Sequence, residues 1–147
     1  MLVSATQVDL FFAYAQTWRN AHATALRELV GRGGTRLRVI LPDKVDDALM
    51  SQLAAKFRYT VPALRSHIED AESDVENLQR QASPQAMVEL KRTCEFPVFT
   101  YYRFDRTCIV ALYAQAPGRV DVPTLECAQG GSLYAFFRDQ FDALWSV

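Results

Sequence analysis

The side chains best suited to forming a site follow two apolar runs of the sequence. Tyr14, Gln16 and Trp18 come after the first run, and Asp43 comes after the second. If both runs are parallel strands, their carboxyl ends meet at one edge of a sheet, which is where such sheets bind ligands. Two rings and an amide there predict a pocket for a planar or sugar-bearing ligand. The alternative, given equal weight, is that Tyr14 and Trp18 only pack a helix against the sheet and bind no ligand.

Three arginines lie on predicted strands. Arg36 and Arg38 alternate with apolar residues, so both point to the same face. This pattern favours an edge strand with solvated arginines, with a small anion-binding face as the weaker alternative. Arg103 lies among aromatic residues and close to Asp105. It is predicted either to form an ion pair in a hairpin or to offer a planar cation to a phosphate or base.

Residues suited to catalysis or metal binding are sparse. The two histidines, His22 and His67, both lie on predicted helices. Cys94, Cys108 and Cys127 are too few and too scattered for a disulfide framework, which favours a reducing, cytoplasmic location. No His, Cys or carboxylate cluster has the spacing of metal ligands, so we predict no metal and no cofactor.

Two glycine-rich runs differ in their place along the chain. Gly31-Arg-Gly-Gly34 follows a predicted helix and enters a strand. A phosphate-binding loop has the reverse order, so this run predicts a turn that ends a helix. Gly130-Gly-Ser132 precedes a helix and is the better anion-binding candidate, although an ordinary helix start is favoured there.

The elements that must position these residues are predicted from apolar periodicity. Val8–Ala15 is predicted as a strand, Trp18–Val30 as a helix and Thr35–Leu41 as a second strand, which together form a parallel βαβ unit. Two helices are predicted next, from Val45 to Phe57 and from Val61 to Leu78. Four strands follow, Met87–Thr93, Phe99–Asp105, Thr107–Ala114 and Pro123–Ala128. A closing helix has a buried stripe formed by Leu133, Phe137, Phe141 and Leu144. The predicted fold class is α/β: a mixed sheet with an N-terminal βαβ unit, antiparallel strands after the central helices, and helices packed on the sheet.

Composition sets the broad limits. The chain has 147 residues, with 16 basic and 17 acidic side chains and a formal net charge of -1. The length suits one domain spanning residues 1–147, and the short segment before the first strand is typical of a domain cut from a longer polypeptide. The charge balance argues against a protein that coats nucleic acid or a membrane surface, and no apolar run is long enough to span a bilayer.

Several of these segments resemble a phospholipase D-like domain. They are Tyr14-Ala-Gln-Thr-Trp18, Arg36-Leu-Arg-Val-Ile-Leu-Pro-Asp43, Tyr102-Arg-Phe-Asp105, and Gly130-Gly-Ser-Leu-Tyr134 continuing to Phe141-Asp-Ala-Leu-Trp145. The nearer similarity is to a degenerate branch at the C-termini of bacterial helix-turn-helix regulators and defence-type proteins. Members that are enzymes use a His-x-Lys-x4-Asp strand. With Asp105 matched to the aspartate, the histidine and lysine positions fall on Val98 and Thr100, which supply neither nucleophile nor cation.

The resemblance therefore implies a non-catalytic sensor or interaction domain of a bacterial regulatory or antiphage defence protein. It implies an attached upstream domain, a homodimer, and a small phosphate- or nucleotide-like ligand, with no direct nucleic-acid binding by this domain. The ligand-binding candidates are Tyr14, Gln16, Trp18, Asp43, Arg103 and Asp105. Two alternatives stay open: a hydrolase acting on a phosphodiester or nucleotide through His22, His67 or Cys108, and a homodimerisation module.

Overall fold

A six-stranded mixed sheet organises the part of the chain that the computed structural model describes, residues 2–113 and 123–147. The elements in chain order are a 3-10 turn at Leu2–Ser4, β1 Gln7–Phe11, α1 Gln16–Ala21, α2 Ala23–Gly31, β2 Arg36–Pro42, α3 Asp47–Phe57, α4 Val61–Gln81, β3 Met87–Thr93, β4 Phe99–Phe104, β5 Thr107–Leu112, β6 Thr124–Ala128 and α5 Ser132–Trp145. The predicted α/β class with helices and a mixed sheet is confirmed.

The strand order is β3-β2-β1-β4-β5-β6, and β1 is the strand at which the sheet changes direction. On one side, β1 pairs in parallel with β2, and β2 pairs in parallel with β3. On the other side, β1, β4, β5 and β6 pair antiparallel in succession. The predicted parallel pairing of the first two strands is confirmed. The expectation of antiparallel strands after the central helices is wrong for β3, because α3 and α4 return the chain to the end of the sheet where β2 begins.

Alternation along the strands distributes the core between two helical layers. Val8 and Leu10 face α2 and α4, where they pack with residues such as Leu29 and Val75. Phe11 belongs to a second cluster beneath α5, together with further strand residues and the buried rings of that helix. A third cluster joins α3 to the first half of α4. The sheet is thus covered on both faces, as apolar residues at successive positions of β1 predict.

The two central helices begin at side-chain caps. The Asp46 carboxylate accepts from the Leu49 backbone N–H at 2.9 Å, and the Thr60 hydroxyl accepts from the Ala63 N–H at 3.3 Å. Such caps satisfy N–H groups that have no partner within the helix. Pro62 lies in the first turn of α4, where its missing N–H costs nothing, so the predicted helix start is confirmed.

Other boundaries and exposures differ from the sequence predictions. β1 ends at Phe11 rather than Ala15, and the single helix predicted up to Val30 is split at His22, whose φ of -112° and ψ of 11° leave the helical range. In α5, Leu133 is 51% exposed, and Tyr134 takes the buried position instead. The strand predicted to reach Ala114 ends at Leu112, and Ala114 itself lies outside the described residues.

Candidate functional site

A row of paired charges crosses the face of the sheet that α5 covers. Asp9 lies directly opposite Arg38 on β2 and opposite Arg103 on β4. Arg38 Nε and Nη2 donate to the two oxygens of Asp9 at 2.7 and 2.8 Å, and Arg103 Nε donates to Asp9 Oδ2 at 2.7 Å. Asp9 is only 1% exposed, so this carboxylate requires its partners. The hydrogen bonds from Arg38 to Asp9 raise the pKa of Arg38 above its ordinary value.

This row corrects two predictions about arginines. β2 lies between β1 and β3, so it is not an edge strand with solvated arginines. Arg38 is largely buried, and its second partner is Asp142 of α5, at 3.2 Å from Nη2. Arg103 does form a structural ion pair, but its partner is Asp9 rather than the carboxylate of Asp105. The sequence prediction chose the acid nearest in sequence, whereas the strand register brings in one 94 residues away.

The turn between β4 and β5 is attached to three other parts of the protein through Asp105. Its carbonyl oxygen accepts from Arg103 Nη1 at 2.9 Å and from the Tyr134 hydroxyl of α5 at 2.8 Å. Its carboxylate accepts from the Gln7 N–H at 2.8 Å, from the Thr6 N–H at 3.1 Å and from the Thr6 hydroxyl at 3.1 Å. The next residue, Arg106, is exposed and has no side-chain partner among the described residues.

An open cleft of about 680 Å³ lies around this turn, and we call it the arginine cleft. Its lining is Ser4, Thr6, Gln7, Arg103, Phe104, Asp105, Arg106, Thr107, Gln129, Tyr134 and Arg138. Arg36 adjoins it, because Arg36 Nη2 donates to the Gln7 side chain at 3.4 Å. Arg138 pairs with the neighbouring Asp139, an exposed pair that solvent weakens, and its guanidinium lies 6.0 Å from the centre of the Tyr134 ring.

The charge of the arginine cleft is positive. Arg103 is paired with buried Asp9, so the outward-facing cations of the lining are Arg106 and Arg138, with Arg36 adjoining, against Asp105 in the lining and the exposed Asp139. Guanidinium groups present several N–H donors in a plane and match the oxygens of a phosphate. The cleft can therefore bind phosphate groups through Arg106 and Arg138, with Arg36 beside them.

The opposite end of β1 carries a smaller cleft of about 340 Å³, which we call the aromatic cleft. Its lining is Phe12, Ala13, Tyr14, Ala15, Gln16, Thr17, Trp18, Phe57, Thr100, Tyr102 and Tyr113. The rings pack on each other: Trp18 stacks with His22 and Tyr102 at 4.5 and 4.6 Å between centroids, and Tyr14 stacks with His67 at 5.1 Å. Among the described residues, no charged side chain lines this cleft.

Burial makes the tyrosines of the aromatic cleft weak acids. Desolvation, followed by the hydrogen bond and the charge of Tyr59, raises the pKa of Tyr14 well above its ordinary value. Desolvation likewise raises the pKa of Tyr102. Both hydroxyls stay protonated at neutral pH, so neither supplies a phenolate for proton transfer.

The six predicted ligand residues lie in three places. Tyr14, Gln16 and Trp18 come together in the aromatic cleft, while Arg103 and Asp105 line the arginine cleft at the other end of β1. Asp43 stands apart from both, where its carboxylate accepts from the Val45 N–H at 3.1 Å and from the Cys94 thiol at 3.8 Å. The ligand-binding role of these residues stays a prediction, and it concerns separate surfaces.

Sequence reasoning missed Asp9, Arg106 and Arg138. Asp9 carried a usable signal, since an acid inside a strand that is apolar on both faces must find a cation on a neighbouring strand. Arg106 and Arg138 carried no comparable signal, because isolated arginines in a turn and on a helix are ordinary surface residues.

Within residues 2–113 and 123–147, no three His, Cys, Asp or Glu side chains are grouped as metal ligands would be. No helix in these ranges combines the length and apolar content needed to cross a bilayer.

The chain is similar in structure to TrmBL2, whose description reads "an archaeal chromatin protein" that "shows a novel mode of DNA binding". The TM-score is 0.54 at 16% sequence identity, and the match covers 99% of this chain and 45% of that one. The chain thus spans less than half of the neighbour's length, and the likeness concerns the fold. It does not bear on a phospholipase D-like form of that fold. No protein-family model matches the chain, and no curated protein matches it.

This comparison contradicts the predicted function and partners. A DNA-binding archaeal chromatin protein is at odds with a bacterial ligand-sensing or defence domain and with the exclusion of direct nucleic-acid binding. The hydrolase and the homodimerisation module gain no support from it. The exclusion of nucleic-acid binding rested on the net charge of the whole chain, which is -1. That sum combines the acids of α4 with the arginines at the arginine cleft, although the two sets lie on different surfaces.

Proposed function

We propose that this chain binds DNA and that the arginine cleft contacts the phosphate backbone. The observation that carries the proposal is the group formed by Arg36, Arg106 and Arg138, none of which has a buried acidic partner. The fold shared with a DNA-binding chromatin protein agrees with it. Phosphate contacts by arginine supply most of the sequence-independent affinity of DNA-binding proteins.

The shape of the cleft favours a polyanion over an enclosed small molecule. The cleft is open to solvent, and more of its lining surface is polar than apolar. Pockets for small ligands are mostly apolar and bury most of the ligand surface. A phosphate backbone needs the opposite, namely an open polar surface with cations that reach outward. Because few arginines are involved, we expect modest affinity with a clear dependence on salt.

The test is a titration of labelled duplex DNA by fluorescence anisotropy at several salt concentrations. The wild-type chain should bind with a slope of log K against log salt of about -3, corresponding to roughly three neutralised phosphates. The triple variant R36A/R106A/R138A should lose at least about tenfold in affinity and most of that slope.

Arg58→Ala is the matched control. Arg58 is also exposed and has no side-chain partner among the described residues, but it lies next to Tyr59, which contacts Tyr14 at the other end of β1. It should bind DNA like the wild-type chain. The proposal is wrong if the wild type does not bind, or if Arg58→Ala weakens binding as much as the triple variant.

We also infer the phospholipase D-like form of the α/β fold, which the resemblance implies. Asp105 lies in the turn immediately after β4, where the motif has its aspartate, and Val98 and Thr100 lie at the start of that strand. An experimental structure in which the β4–β5 region and the closing helix superpose on a phospholipase D domain would support this inference. If the strand order of the phospholipase D domain differs from the order β3-β2-β1-β4-β5-β6 of this chain, the inference is wrong.

A further inference from the structure

Asp105 adopts a backbone conformation that residues with a Cβ rarely take. Its φ is +53°, in the left-handed region, where residues other than glycine are uncommon and asparagine and aspartate are the more frequent exceptions. Holding such a residue there costs about 1 kcal/mol or more, so its surroundings must stabilise the conformation. In this protein the hydrogen bonds of Asp105 stabilise it.

The polar groups of Asp105 are bonded to three separate elements. The backbone N–H donates to Gln7 O at 2.9 Å, and the carbonyl accepts from Arg103 and from Tyr134 of α5. Carboxylate oxygen Oδ1 accepts from the Gln7 N–H, the Thr6 N–H and the Thr6 hydroxyl, and Oδ2 accepts from the Thr6 N–H at 3.2 Å. The β4–β5 turn does not need these side-chain bonds in order to close. The backbone pairing of the two strands, from Phe104–Thr107 to Phe99–Leu112, already closes it.

These bonds fix the one point of the turn from which Arg106 extends. An arginine on a rigid turn loses less conformational entropy when it meets a phosphate than one on a mobile turn. We propose that Asp105 is a positioning residue that holds Arg106 toward the DNA backbone. This inference rests on the proposed function of the arginine cleft.

The charge of Asp105 makes the proposal distinguishable from simple electrostatics. A carboxylate beside a phosphate-binding cleft repels DNA, so removing its charge alone should strengthen binding. Removing its anchoring bonds should weaken binding, because Arg106 is then no longer held in place. The two effects have opposite signs.

Two substitutions separate these effects. Asp105→Asn removes the charge, tolerates a positive φ and keeps an oxygen at the position of Oδ1, so we expect affinity equal to wild type or up to about threefold higher. Asp105→Gly removes the charge and every side-chain bond while relieving the backbone, so we expect affinity at least about fivefold lower and a salt slope smaller by about one. In the R106A background, Asp105→Gly should cause no further loss, since coupled residues are not additive.

Tyr134→Phe provides a variant that leaves the Asp105 carboxylate intact. It removes one donor to the Asp105 carbonyl, keeps the ring in the core beneath α5, and should weaken binding about twofold. Thermal melts followed by circular dichroism establish that each variant is folded. If Asp105→Gly does not fold, Tyr134→Phe decides the question, and unchanged affinity in that variant overturns the inference.

The outcomes distinguish this inference from the proposed function. Failure of the wild type to bind overturns both. Unchanged binding by R106A, with binding still lost in R36A/R106A/R138A, overturns only the positioning role. Weaker binding by R106A together with undiminished binding by Asp105→Gly overturns only the positioning role. Additive losses in the double variant D105G/R106A also overturn it, because Asp105 would then act independently of Arg106.

Discussion

The two ends of β1 differ in how their conspicuous side chains are used. At the C-terminal end, the rings of the aromatic cleft stack on each other, so their faces already have partners. At the N-terminal end, buried Asp9 is paired with Arg38 and Arg103, while Arg106 has no side-chain partner among the described residues and the ion pair of Arg138 is with an exposed acid, Asp139. A surface whose groups lack internal partners is better placed to bind another molecule than one whose groups are satisfied.

The two ends also differ in the charges around them. The segment after β2 carries Asp43, Asp46 and Asp47, and its one cation, Lys44, pairs with Glu69 and Glu72 of α4. Arg58 is exposed at that end and tests whether an isolated arginine there contributes to binding. The edge where the parallel strands begin has Arg36 beside the arginine cleft. DNA should therefore approach one end of the sheet only, and the following predictions test this difference.

The largest effect is expected from Asp9→Asn, which leaves Arg38 and Arg103 buried without their shared carboxylate. Breaking a buried ion pair by removing one partner costs about 3–5 kcal/mol of unfolding free energy. Urea denaturation measures this loss. Asp139→Asn, which removes only the exposed pair with Arg138, should change stability by less than about 1 kcal/mol. Equal losses in the two variants would show that the charged row is not the more stabilising feature.

A smaller loss of stability is expected from Trp18→Ala at the other end of the strand. Trp18 is half-buried between His22 and Tyr102, so its removal should cost about 2 kcal/mol. DNA affinity should not change at a temperature where the variant is folded. A tenfold loss of DNA affinity in folded Trp18→Ala would remove the functional distinction between the ends of β1.

The smallest effect concerns the thiol of Cys94 at the acidic end. Its interaction with Asp46, then slight desolvation and the charges of Asp46 and Asp43, raise the pKa of Cys94, whose thiol also donates to Asp43 Oδ2 at 3.8 Å. Asp46→Asn should lower that pKa and keep the cap of α3, so a larger thiolate fraction at pH 8 should give alkylation by iodoacetamide about two- to threefold faster. Peptide mass spectrometry follows each thiol separately.

Cys108 provides the internal reference for that measurement. Burial raises the pKa of Cys108 to about 12, so its thiol should stay unmodified in the native protein whether or not Asp46 is changed. An alkylation rate for Cys94 that does not respond to Asp46→Asn would mean that the acids do not control the thiol.

Local patterns in the sequence were sufficient for most of the fold. β3 has the predicted bounds, Met87–Thr93, and α4 begins at the predicted residue, Val61. The β4–β5 hairpin forms at the predicted turn. These features depend on interactions between residues close in sequence, such as caps, turns and the apolar period of one helix face.

The parts that could not be predicted depend on which strands become neighbours. Whether β2 lies at an edge is decided by where β3 joins the sheet, and no residue of β2 encodes that. The partner of Arg103 depends on the register between β1 and β4. The arginine cleft unites the N-terminal segment, the turn and α5, so its charge cannot be read from any one of them.

The position of β1 also sets an order of events during synthesis. β2, which carries Arg38, follows β1 after a short interval, whereas Arg103 is added 94 residues after Asp9. A nascent chain can thus neutralise the Asp9 carboxylate with Arg38 as soon as the first parallel pair forms, well before β4 exists. Until β4 is made, one edge of β1 has no strand partner, and its N–H and C=O groups are open to pairing with other chains.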